Sequence, residues 1–405
     1  MKAIVHGRLI LPDENDDFVI ADGKALVYDE TGIQAIVDPE VYNQKYGNIP
    51  MEDVIDADGA YVSPGFLNVH IHGCGGADTM DKEGDTFDIL RDEQAAMGVT
   101  GFLPTTMTCP WNEIAGALTR IRAAMQQHGR GADILGAHME GPFISPAEKG
   151  SQEETNILPA DFSKLAPFAD VVRLVTLAPE ELPLRDTAAV HGMGTAPEEH
   201  DWSFLEQCEN AGVIVSIGHT AATYEMAAAA VRSHGVHHFT HLFNAMTGLH
   251  HRRPGTVGAA LDTDARVELI CDNIHIAPAV QRLVWRLKGP DSLILVTDSM
   301  SACGIGDGTY TFGGHEVTVR GERATLADGT IAASIATMNR CIHRFWQNTG
   351  APIEQVITTV TKTPAKDLGL YEGRGSLAPG KRADITIFDD ALAIHATIVG
   401  GVQVC

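Results

Sequence analysis

The 405-residue chain is 44% hydrophobic and 20% charged, a globular composition with ample material for a large core, which excludes a disordered chain. The 29 Lys+Arg against 53 Asp+Glu leave a net charge of −24, a field that repels nucleic acid and anionic membrane surfaces. A small anionic ligand would need a local cationic pocket, since charges beyond ~8 Å are screened at physiological salt.

No run of about 18 apolar residues exists, so no transmembrane helix is expected. The N-terminal MKAIVHGRLILPDEND has no apolar h-region and no small-residue cleavage site, which argues against a secretory signal. From there to residue 62 the chain reads as short strands: KAIVHGRLI, FVIADGKALVYD, GIQAIVD and VIDADGAYV. Gly and Asp separate them, which is hairpin chemistry. The centre alternates apolar runs with helical segments. Strands are expected at 65–72, 101–106, 134–140, 171–178, 212–219, 236–241, 267–272 and 293–298. The interleaved helices include Thr86–Met97, Trp111–His128, Tyr224–His234 and Pro278–Lys288. This pattern, eight strands over roughly 250 residues, predicts an α/β fold, a (β/α)8 barrel of the TIM type. Tyr310–Thr330 breaks the alternation and reads as a hairpin inserted before a last helix, Thr337–Thr349. GKRADITIFD and AIHATIVGGVQV then return to short strands, so both termini are expected to build one small β-sandwich. The expected division is 1–62 and 371–405 for the sandwich and 63–370 for the barrel. The seven cysteines are scattered without a C-x-x-C pair, as for free thiols in a reducing cytosol.

Barrel active sites lie at the C-terminal ends of the strands, so polar residues there read as chemistry. His70 and His72, in NVHIHG, are two apart on the first strand and face the same way, with Val69 and Ile71 outward. They suit a shared metal in the barrel mouth; by themselves they also suit a hydrogen-bonded pair at the rim. Glu140 ends ILGAHME, with His138 two residues earlier; a carboxylate there is costly unless paired or metal-bound. His219 ends GVIVSIGH and His241 ends VHHFTH. One acid and two imidazoles from three strands, with a coordination position left open, is the ligand pattern of a catalytic zinc. Asp298 ends LILVTD and is placed to take a proton from water and return it, or to cap the turn that follows. HLFNAMTGLHHRRPG (241–255) is the densest cationic stretch, carrying Asn244, His250, His251, Arg252 and Arg253. It suits phosphate, or else a solvated basic loop or an acidic patch on another subunit. His275, after the seventh strand, suits a substrate contact about as well as a structural role.

GAHMEGPFISPAEKGSQ, IGHTAATYE, THLFNAM, HRRPG, VTDSMSACG and APGKRADITIFD together resemble the N-acetylglucosamine-6-phosphate deacetylases of the amidohydrolase superfamily. The resemblance implies a barrel with a terminal sandwich, a cytoplasmic homodimer, and hydrolysis of N-acetylglucosamine 6-phosphate to glucosamine 6-phosphate and acetate in amino-sugar catabolism. It assigns a Zn²⁺ or Fe²⁺ ion to Glu140, His219 and His241, and the catalytic acid–base to Asp298. His70 and His72 imply a second ion, so one or two per subunit. Substrate contacts fall on Ser151, Asn244, Ala245, His275, Ala332, Ala333 and Ser334, with Arg252 reaching the neighbouring subunit's site. Gln152 stands where some members carry His. The alternatives are a deacetylase of the galactosamine epimer, another amidohydrolase, or a non-catalytic sugar-phosphate-binding barrel. Cyclic-amide hydrolases bridge two metals with a carboxylated Lys, a role that falls here to Glu140.

Overall fold

In the computed structural model, residues 1–127, 130–184 and 200–405 are described. Eight parallel strands form the expected ring: β1 (Phe66–Ile71), β2 (Val99–Thr106), β3 (Ala137–Glu140), β4 (Val172–Leu177), β5 (Ile214–Ile217), β6 (His238–Phe239), β7 (Arg266–Ile270) and β8 (Leu293–Val296). Each pairs with the next in chain order. The ring closes just past the strand ends, where Asp298 N donates to His70 O at 3.0 Å and His72 N to Ser299 O at 2.9 Å.

Val69, Leu103, Leu174, Ile270, Ile294 and Val296 touch one another although they come from strands on opposite sides of the ring. Such contact is only available through its middle, so these side chains plug the barrel floor. Val69 therefore faces inward, not outward as expected. The β1–β2 ladder contains two register shifts, and strict two-residue alternation does not hold along it. Leu293 and Leu295 point the other way, into the shell packed against the helices.

The helices follow their end signals. Tyr224–His234 begins after Thr223, whose hydroxyl accepts from Met226 N, and ends at Gly235 with φ 73°. Pro278–Lys288 starts on a proline and stops at Gly289. The helix from Trp111 ends at Met125; its expected last residue, His128, lies outside the described residues. No helix among the described residues is long and apolar enough to cross a membrane.

Strands from both ends of the chain share a six-stranded sheet, in the order Val402–Gln403, Ile394–Val399, Ile385–Phe388, Tyr61–Pro64, Arg8–Pro12, Phe18–Asp22. A four-stranded sheet carries Gly32–Val37, Ala25–Asp29, Lys2–Val5 and Val54–Asp56, and Ile4, Leu26, Val62, Ile385 and Ile398 pack between the two. The segment KAIVHGRLI is thus not one strand. It crosses from one sheet to the other at His6–Gly7, where a β-carbon on Gly7 would lie 2.5 Å from Val62 Cγ2. The insertion is larger than a hairpin: Gly308–Phe312, His315–Arg320, Arg323–Thr325 and Ile331–Ala333 form a four-stranded meander.

Candidate metal centre and active site

All the strong site candidates meet at the C-terminal mouth of the ring. Glu140 ends β3, while His219, His241 and Asp298 each stand two residues beyond their strands. Those three adopt left-handed backbone, with φ of 48°, 28° and 46°. Non-glycine residues there cost about 1–3 kcal/mol each and persist only where the surroundings fix them. Here they are fixed. His219 O accepts from Ser145 N at 2.8 Å, His241 N donates to Glu268 Oε2 at 3.1 Å, and Asp298 is held between His70 O and Ser334 N, both at 3.0 Å. The turn swings each side chain from the strand's direction into the mouth.

Glu140 is the hub. Its Oε1 lies 3.1 Å from His241 Nε2, 3.3 Å from His219 Nε2 and 3.4 Å from His70 Nε2; its Oε2 lies 3.3 Å from His72 Nε2. Asp298 Oδ1 is 3.3 Å from both His70 Nε2 and His72 Nε2. Glu140 with His219 and His241, and Asp298 with His70 and His72, each bring three donor atoms within 4.8 Å of one another.

The ring tautomers show what the donors are arranged for. His219 Nδ1 lies 3.0 Å from the Glu148 carbonyl and His72 Nδ1 3.2 Å from the Thr105 carbonyl. Carbonyls only accept, so Nδ1 carries the proton and the Nε2 lone pair faces the mouth. His70 Nδ1 is likewise 2.9 Å from Glu268 Oε2, leaving its fully buried Nε2 with no hydrogen-bond partner. Lone pairs converging beside two carboxylates fit a divalent cation. Without one, protons fill the role: burial opposes charge on His72, but Asp298 and Glu140 outweigh it and push the imidazole up to about 9. Burial opposes charge on Glu140 too, yet His70 and His219 hold it well below the usual carboxylate range. Asp298 is also lowered, since His70 and His72 outweigh its burial. A bound cation would displace the protons from the imidazoles.

Three supporting residues were missed or left undefined by the sequence reading. Glu268, wholly buried on β7, accepts from His70, from the His241 backbone and, at 3.1 Å, from His238, which Asp367 holds at 2.7 Å on its other face. Its signal was an acid inside the apolar run VELI, which must be paired. Gln152 bridges Thr108 N and Glu140 Oε2, both at 2.7 Å, so it fixes the hub carboxylate. His138 does not line the cavity over the cluster; its Nε2 lies 2.7 Å from Thr176 Oγ1, and burial followed by the nearby His70 pushes it down to about 3, so it is neutral. Glu268→Gln is expected to weaken metal binding about 10–100-fold, the usual effect of removing an outer partner of a ligand histidine. Metal titration of the variant checks this, and native affinity would contradict it.

A cavity of about 570 Å³ opens over the cluster. Ser151, Asn244, Ala245, His275 and Ala332 line it, with Lys149. His275 is oriented by Asp272 at 2.6 Å; burial opposes its charge, but Asp272 raises it above the ordinary histidine range. Ala333 and Ser334 lie behind the wall, Ser334 bracing Asp298 through the backbone. Arg252 does not reach this cavity within its own chain. It sits on an exposed loop beside His251 Nε2 at 2.7 Å and lines a separate cleft with Tyr224 and Arg253.

Residues 61–404 match the Amidohydrolase family. The chain belongs to that family. Amidohydrolases are metal-dependent, in keeping with the converging donors of this member. It is 39% identical over 346 residues to the N-acetylglucosamine-6-phosphate deacetylase of Bacillus subtilis, covering 84% of this chain and 83% of the relative. It is 33% identical over 406 residues to the N-acetylgalactosamine-6-phosphate deacetylase of Escherichia coli, covering 99% of each. A crystal structure of N-acetylglucosamine-6-phosphate deacetylase from Pasteurella multocida superposes with a TM-score of 0.86 at 31% identity, over 99% of both chains.

Proposed function

We propose that this amidohydrolase cleaves the acetamide of N-acetyl-D-glucosamine 6-phosphate, giving D-glucosamine 6-phosphate and acetate. The observation that carries the reading is the convergence of Glu140, His219 and His241 on one point beside Asp298, in a chain similar over most of its length to deacetylases of this substrate. Glu140, His219 and His241 would hold the main divalent cation, and His70 and His72 with Asp298 a second. Zn²⁺ suits this nitrogen–oxygen set best and Fe²⁺ is the other candidate. When bound, the metal supplies Lewis acidity toward the acetamide oxygen and makes water acidic enough to attack near neutral pH.

The remaining work falls to side chains. Asp298, ionised by its imidazole neighbours, accepts the proton of the attacking water. It then delivers that proton to the departing nitrogen, since an amide anion is a very poor leaving group. Gln152 keeps Glu140 from swinging out of place. Along the cavity wall, the Asn244–Ala245 backbone and His275 receive the phosphate. Ser151 and Ala332 border the sugar, with Ala333 and Ser334 shaping that wall from behind. Binding energy from the phosphate, remote from the cleaved bond, positions the acetamide, so its loss costs turnover as well as affinity.

Arg252 completes the phosphate site from a second copy of the chain, which makes the working unit a homodimer. The scattered cysteines, free in the fold, suit a cytoplasmic enzyme of amino-sugar catabolism. Arg252→Ala should lower kcat/KM on the phosphorylated sugar by roughly 10–100-fold, the worth of a charge-assisted hydrogen bond, and leave the unphosphorylated sugar unaffected. Equal losses on both would remove Arg252 from the phosphate site. The function is tested by acetate release from the two epimeric sugar phosphates. Glucosamine preference supports the proposal, galactosamine preference shifts it to the epimer, and no acetate from either ends it.

A further inference from the structure

The cluster has two flanks. On the His219 flank a β-carbon on Gly150 would lie 3.4 Å from His219 Cε1 and 3.7 Å from Ala245 Cβ, so this side adjoins the polar wall of Asn244 and Ala245. The His72 flank is apolar. The Phe312 ring stands edge-on to His72, with centroids 5.2 Å apart. Met107 Sδ lies 3.8 Å from Gln152 Nε2, the group that holds Glu140 Oε2. Both side chains line the cavity and are otherwise buried.

The reacting carbonyl must come to about 3–3.5 Å from its nucleophile at the cluster. The substituent on that carbonyl is one bond away, while the sugar and its phosphate extend toward the polar wall. The substituent is thereby left to the His72 flank. We propose that Met107 and Phe312 are specificity-determining residues: they form the wall of the acyl pocket and restrict the enzyme to acetyl. This deepens the hydrolytic reading above and rests on it.

The wall is backed so that it does not retreat. Phe312 ends a strand of the inserted meander and packs with Met107, Met300, Val317, Val319 and Ala333 in a core of its own. The next residue, Gly313, takes φ 56° and presses so close that a β-carbon would meet Met107 Cε at 2.9 Å. No such backing could have been read from the insertion's sequence, which places Phe312 only at a hairpin end.

The test compares N-acetyl, N-propionyl and N-butyryl glucosamine 6-phosphate on native enzyme, Phe312→Ala and Met107→Ala. Native kcat/KM is expected to fall at least about tenfold per added methylene, the scale of a tight apolar pocket. At least one variant should raise butyryl kcat/KM at least about tenfold above native, with no rise on acetyl. Mere damage to the fold cannot produce that absolute gain. Native enzyme that takes butyryl as well as acetyl overturns the proposal. So does acetate release by native enzyme with butyryl turnover raised in neither variant. In either case the deacetylase reading survives. No carboxylate released from any of the three by native enzyme removes both.

Discussion

Glu140→Gln is expected to leave the mouth without its cation and to cut kcat by at least about a thousandfold, in line with the several kcal/mol a metal contributes to hydrolysis. Four imidazole nitrogens lie within 3.1–3.4 Å of this one carboxylate. An amide is isosteric but neutral, and it would turn N–H donors toward lone pairs that need a positive partner. Charge loss at the hub therefore affects both candidate metal groups, whereas Asp298→Asn touches only the His70 and His72 side. Metal analysis of the purified variant together with its turnover checks the claim. Stoichiometric metal with activity within about tenfold of native, below the range of a lost catalytic group, would contradict it.

Asp298→Asn should behave differently. Turnover is expected to fall about 10²–10⁴-fold, the contribution of a positioned acid–base group, while the ion at Glu140, His219 and His241 stays in place. The asparagine keeps the backbone position between His70 O and Ser334 N but cannot accept a proton. Retention of the ion at Glu140, His219 and His241 with turnover reduced by that factor would separate proton transfer from binding of the main metal. Near-normal turnover would take Asp298 out of the acid–base role.

The barrel was legible because each strand is an apolar run stopped by a polar residue, and the helices because Thr223, Gly235 and Pro278 mark their ends. Glu140, His219, His241 and Asp298 stood out for the same reason, as polar side chains ending apolar strands. What escaped depends on contacts distant in sequence. Glu268 joins β7 to His70, 198 positions away. Gln152 reached the hub through a loop whose path no local pattern defines. KAIVHGRLI has the propensity of a single strand, yet it breaks where His6 takes φ 55° and Gly7 packs against Val62. Periodicity likewise predicted an outward Val69, because a ladder's register shifts are a property of the pair, not of either strand.

The convergence of Glu140, His219 and His241 is meant to hold a cation without which no acetamide is cleaved. The most direct measurement is acetate release from N-acetylglucosamine 6-phosphate by protein stripped with chelator, then reloaded with Zn²⁺ or Fe²⁺ while bound metal is counted. Activity should vanish on stripping and return in proportion to the metal taken up, reaching a plateau at one or two ions per chain. Full turnover by the stripped protein would contradict it.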